Sequence, residues 1–126
     1  MLIWNLTQHP ATPGQMANGV TDLPPALQAD VRRLLTFEEL PTPDGVWERA
    51  AQIWGAVDHL FGENDAAMIG GAPFLMAPLQ AVLLTHGIAP VYAFSKRESV
   101  DVPQPDGSVR KTAVFKHAGF VHVSTA

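Results

Sequence analysis

Residues 66–99 oblige the chain to build a βαβ unit. Ala66-Ala67-Met68-Ile69 is a short apolar run broken by Gly70-Gly71, an apolar segment of helical length follows as far as Thr85-His86-Gly87, and Ala89-Pro90-Val91-Tyr92-Ala93-Phe94 resumes with strand character. Two strands separated by a helix pair in parallel, because the helix must carry the chain back along the sheet before the second strand begins. A parallel sheet is covered on its faces, so its remaining strands and helices must come from the rest of the 126 residues. The same stretch has to be weighed as a bilayer span, since residues 66–84 carry no charge. Gly70, Gly71, Pro73 and Pro78 divide it into pieces too short to cross, and the second piece ends in a helix-stop signal. A buried βα unit without membrane association is the expectation. Pro78 would interrupt a helix that started at Pro73, so the regular helix is expected over residues 78–86.

The flanking segments supply the other elements. Residues 2–7 read as a strand that stops at Gln8-His9-Pro10. Thr12 before Pro13 reads as a helix cap, with a short helix through Met16 and Ala17 ended by Asn18-Gly19. Leu27, Val31, Leu34 and Leu35 put an apolar stripe on a helix over residues 26–35, and Val46, Ala50, Ile53, Trp54, Val57, Leu60 and Phe61 do the same over 46–61. Between them, residues 36–45 form a connector with two prolines and a glycine. The C-terminal part changes character: residues 99–102 and 109–115 flank Gln104-Pro105-Asp106-Gly107 as a β-hairpin, and Phe120 to Val123 adds a last strand. The expected fold is α/β, a single Rossmann-like three-layer domain over residues 1–126 with a mainly parallel core sheet and a C-terminal antiparallel hairpin.

Charge is distributed unevenly. Residues 1–90 hold three cations against nine carboxylates, a net of −6, while from Val91 onward five cations face three carboxylates, a net of +2. An overall charge of −4 argues against binding long nucleic acid, and a local basic region suits a compact anion. A solvated basic hairpin face accounts for the same charges. The chain has no cysteine, which removes disulfide and thiolate chemistry and fits a cytoplasmic address.

In an open parallel sheet, ligands collect beyond the carboxyl ends of the strands. Three groups fall there: Thr7-Gln8-His9, Gly70-Gly71-Ala72 and Ser95-Lys96-Arg97. Hydroxyl and amide donors, two glycines that let the backbone approach closely, and two cations together make a candidate phosphate cradle, with Lys116 as a further cation. Gly70-Gly71 is neither a Walker loop nor the spaced dinucleotide fingerprint, and a tight strand-to-helix turn explains it equally well. His9 is the candidate proton carrier because it follows the first strand. His59 and His86 read as structural or exposed, and His117 and His122 would lie on opposite faces of one uninterrupted strand. Neither a metal site nor a cofactor is expected. The serines lack a nucleophile-elbow sequence, and Asp22 and Asp65 show no partner in the sequence.

Asn5-Leu6-Thr7-Gln8-His9-Pro10-Ala11-Thr12-Pro13-Gly14-Gln15 at the start of the chain, and Tyr92-Ala93-Phe94-Ser95-Lys96-Arg97-Glu98-Ser99 after a βα unit, resemble the small stand-alone Rossmann-like ring nucleases of type III CRISPR systems, which act in antiviral signalling. The resemblance covers the architecture of most of the chain and few identities. It implies a homodimer holding a cyclic oligoadenylate on its twofold axis and cleaving it without a metal. His9, Lys96 and Arg97 would be catalytic, and Thr7, Gln8, Gly70, Gly71, Ala72, Ser95 and Lys116 would hold the ligand. Two other readings stand beside it: a non-catalytic nucleotide sensor or sink that binds through the same residues, and a structural or partner-binding protein whose basic hairpin docks on an acidic surface.

Overall fold

The computed structural model describes residues 1–123. In chain order the elements are β1 (Ile3–Leu6), α1 (Pro13–Ala17), β2 (Val20–Asp22), α2 (Pro25–Leu34), α3 (Pro43–Val57) with a 3-10 turn at Asp58–Leu60, β3 (Ala66–Ile69), α4 (Pro73–Thr85), β4 (Ala89–Pro103) and β5 (Val109–His122). Among the described residues these strands form one five-stranded sheet in the order β2-β1-β3-β4-β5. The first four neighbours run parallel, and β5 is antiparallel to β4. The fold is therefore α/β with a mainly parallel sheet and a C-terminal antiparallel hairpin, as expected.

Each sheet face has its own apolar cluster. Leu6, Ala67 and Ile69 pack with Val31 and Leu35 near α2, with Val46, Ala50, Ile53 and Val57 of α3, and with Leu75, Leu79 and Leu83 of α4. On the other face Ile3, Val20, Ala66, Met68 and Val91 gather around Ala11 and Phe120. Helix α1 is the helical cover there, so this layer is thin. Thr42 caps α3, accepting from Gly45 N–H at 3.0 Å, with Pro43 at the first helical position.

Several boundaries differ from expectation. Strand β2 was not visible in the sequence; it is three residues long and depends on parallel pairing with β1. Helix α3 starts at Pro43 rather than Val46. Helix α4 starts at Pro73 and accommodates Pro78 in its interior. Only the Phe74 carbonyl loses its i+4 donor there, close to the helix start, while the Pro78 ring is buried among the core residues of α4.

The largest difference concerns the C-terminal part. β4 does not end at Phe94; it runs 15 residues to Pro103, and β5 runs 14 from Val109. Ser95-Lys96-Arg97 is thus strand, not a turn at a strand end, and the expected last strand belongs to β5. A bulge between Phe94 and Ser95 interrupts the ladder at the point where the hairpin leaves the body. Because of this bulge, His117 and His122 register opposite Ser95 and Val91 and share one face, where an uninterrupted strand would have separated them. At the tip, Gln104 N–H donates to Ser108 O at 2.8 Å and Gly107 N–H to Gln104 O at 3.0 Å. Gly107 alone takes the positive φ, +84°, so the connection is a longer loop rather than a two-residue Asp-Gly turn.

Candidate functional site

A cleft of about 420 Å³ opens beyond the carboxyl ends of β1 and β3, beside the first residues of β4. Its lining includes Thr7, Gln8, His9 and Pro10 after β1, Met68 to Gly71 at the end of β3, Tyr92 and Ala93 on β4, and Thr12 and Gln15 from the α1 region. The position follows from topology. The chain leaves β1 on one side through α1 to β2 and returns through α2 and α3 to β3 on the other side, so β1/β3 is the switch point where a crevice must form.

The loop after β1 is shaped by a polar side chain placed inside the sheet. Asn5 is 2% exposed. Its Nδ2 donates to His9 O and to Asp22 Oδ1, both at 2.8 Å, and its Oδ1 lies 2.9 Å from Thr7 N and 2.7 Å from Thr7 Oγ1. Asp22 Oδ1 also accepts from Ala11 N–H at 3.0 Å, so both ends of the His9 loop are tied to the same pair of side chains. The Thr7 hydroxyl has one hydrogen and an acceptor at 2.7 Å, which makes it a brace for the loop. Gln8 is braced in turn: its Nε2 donates to Thr36 Oγ1 at 3.2 Å, and its carbonyl accepts from Arg32 Nε at 3.1 Å. What remains exposed toward solvent is the His9 side chain.

The opposite wall is the strand-to-helix turn of β3. Gly71 has φ +147°, a conformation that excludes side chains, and the backbone passes directly into α4 at Pro73. Ala72 occupies the cap position without a capping side chain; Pro73 has no N–H and Leu75 N–H donates to Ala72 O at 3.0 Å, which leaves the Phe74 N–H of this first turn for an outside acceptor. Thr12 and Gln15 are less available. They form a capping box, Thr12 Oγ1 accepting from Gln15 N–H at 3.2 Å and Gln15 Oε1 from Thr12 N–H at 3.0 Å. Tyr92 lines the cleft from β4, and its hydroxyl accepts from Gln80 Nε2 of α4.

The structure thus brings together Thr7, Gln8, His9, Gly70 and Gly71 from the sequence-derived set. Ala72 lies just outside the lining. Ser95, Lys96, Arg97 and Lys116 do not line the cleft; they stand on the hairpin, Lys96 directly opposite Lys116 and Arg97 opposite Phe115. Asn5, Asp22, Gln80 and Tyr92 went unassigned in the sequence although they shape the site. Pro13 marks Thr12 as a cap, and the Thr-x-x-Gln spacing could also have found Gln15, whereas nothing in the linear pattern pairs Asn5 with Asp22.

Asp65 finds its partners away from the cleft, at the other end of β3. It accepts from Leu2 N–H at 2.9 Å and Gly62 N–H at 2.8 Å, with Trp4 Nε1 at 3.4 Å. The Leu2 and Gly62 backbone donors hold its carboxyl below the ordinary carboxylate value. Among the described residues, no three His, Asp or Glu side chains gather as a metal-ligand set, and no helix is long and apolar enough to cross a membrane.

Residues 1–121 match the family model described as the uncharacterized protein MJ1673 family, and the chain belongs to that family. Among curated proteins and solved structures no match was found.

Proposed function

We propose that this member of the MJ1673 family binds a cyclic oligoadenylate at the β1/β3 cleft, on a twofold axis between two copies, and opens the ring without a metal. The supporting observation is the meeting, in one cleft, of an exposed His9 held by the Asn5 network with the Gly70-Gly71 turn that leads into α4. The ring-nuclease resemblance of the Asn5–Gln15 and Tyr92–Ser99 segments supplies the ligand class. In the proposed reaction a ribose 2′-oxygen attacks the adjacent phosphorus, the bond from phosphorus to the 5′-oxygen breaks, and a 2′,3′-cyclic phosphate and a 5′-hydroxyl result. His9 takes the proton from the 2′-hydroxyl and returns it to the departing 5′-oxygen. The backbone of the Gly70-Gly71 turn and the Phe74 N–H that follows it would meet the charge that builds on the phosphoryl oxygens.

One observation favours a second reading, a sensor or sink that binds the same ligand without cutting it. No Lys or Arg lines the cleft, so the charge of the transition state has no cation of the same copy beside it. Incubation with cyclic tri-, tetra- and hexa-adenylate, with and without chelator, separates the two by mass-resolved chromatography. The expected result is chelator-resistant linear product, reduced at least about 100-fold in His9→Ala. Intact rings with a thermal shift would make the protein a binder, and intact rings without one would reject both readings.

A further inference from the structure

From Phe94 outward, β4 and β5 form an arm paired with nothing but itself. β3 pairs only with Ala89, Pro90 and Val91 of β4, so nine residues from Ser95 to Pro103 extend about 30 Å beyond that ladder. Both edges of this ribbon are open. A lone two-stranded ribbon is at best marginally stable in water, and this one also exposes bulky apolar groups: Phe115 is 76% and Val109 60% exposed. The ladder puts these on one face together with Arg97, Lys111 and one carboxylate, Asp101, since Arg97 faces Phe115, Asp101 faces Lys111 and Pro103 faces Val109.

A surface of complementary character lies on the body. Between α2 and α3 runs a groove of about 910 Å³ that includes Glu38, Glu39, Leu40 and Glu48 in its lining. Leu40 is 96% exposed. The groove's arginines are engaged: Arg32 with Gln8 O, Arg33 with Asp30, and Arg49 with Leu34 O, Thr36 O and the Phe37 ring. Glu38, Glu39 and Glu48 form no ion pair among the described residues. The groove thus holds three arginines with other partners, three carboxylates in no ion pair and an uncovered Leu40; the arm displays cations and bulky apolar groups, and none of its residues lines the groove.

We propose that the arm of one copy docks by its Phe115 face into the α2–α3 groove of a second copy of this chain, the exchange being reciprocal. Two such contacts close the pair under a twofold axis. Phe115 covers Leu40, and Lys111 approaches the Glu38–Glu39 carboxylates. The pairing does not depend on what the cleft binds, and it is tested without a nucleotide, so its failure and that of the proposed function are read separately.

Light scattering on the full chain at micromolar concentration is expected to give twice the mass of one copy. Phe115→Ser should weaken the pair at least about tenfold without lowering the melting temperature of the dilute protein, since the ring is exposed. A charge exchange adds specificity. Lys111→Glu alone and Glu38→Lys/Glu39→Lys alone should each be monomeric, whereas their equimolar mixture should pair, because both contacts of the mixed pair are then complementary. A monomeric wild type, a Phe115→Ser protein that still pairs, or a mixture that stays monomeric would overturn the proposal. So would a mass that grows past two copies with concentration, which would mean an open chain of contacts.

Discussion

Asn5 shows how much of this site rests on one buried side chain. Within an apolar run it reads as an interruption, and its meaning comes from register: β1 pairs with β2 so that Asn5 faces Asp22, seventeen positions away. Truncation by Asn5→Ala would leave Asp22 Oδ1, Thr7 N–H and His9 O each short of a partner, and is expected to cost about 2 to 3 kcal/mol. Asn5→Asp should be worse at neutral pH, because it sets a carboxylate against Asp22 where a donor had been, and should recover as acid protonates one of the two. Chemical denaturation of both variants across pH checks the sign. Asp65 makes the contrasting case at the far end of β3. Its folded pKa lies below the ordinary 3.8, so its contribution is fully present above that value and fades as pH falls through the folded one. Asp65→Asn should therefore flatten the acid limb of the stability curve and cost about 1 to 3 kcal/mol at neutral pH. Ligand binding at the cleft should stay unchanged, because the two ends of β3 do not share partners.

At the level of elements, the cleft's roof is α1, five residues long with no buried residue of its own. What holds it is contact with β2 and with the hairpin base. A Cβ built on Gly14 would come within 3.3 Å of His117 Cβ, and His117 meets Phe120 edge-on at 4.9 Å between ring centroids. Neither imidazole nitrogen of His117 is exposed or hydrogen-bonded, so the ring is retained by packing. Gly14→Val is expected to lift α1, with a cost of about 1 to 3 kcal/mol and weaker ligand binding, read by thermal melting with and without nucleotide. If binding is unchanged while stability falls, α1 is not part of the working cleft. Element ends were also where the sequence misled. Ser95-Lys96-Arg97-Glu98-Ser99 contains no glycine or proline, so nothing local could stop β4; reading charge as a turn moved Lys96, Arg97 and Ser95 to a strand end they do not occupy. The strand ends beside Thr7-Gln8-His9 and Gly70-Gly71 were legible because Pro10 and the two glycines do break the chain there.

On the scale of the whole molecule, body and arm divide the work of folding. The buried apolar residues lie between Ile3 and Val91, with Phe120 packed against them from β5, and the arm beyond Ser95 adds almost nothing to that core. Lys96 and Lys116 already face each other across the ladder, so joining them by an Asn-Gly turn in place of residues 97–115 would shorten the hairpin without disturbing its base. The shortened chain is expected to melt cooperatively. Its melting temperature should not change with protein concentration, while that of the full chain should climb, because pairing of folded copies stabilises them by mass action. On dilution the two should converge to within about 5 °C, the shift expected for roughly 1 kcal/mol in a protein of this size. If the shortened chain loses its cooperative transition at every concentration, the arm is part of the folding unit, and the exposed Phe115 face serves the body of its own chain.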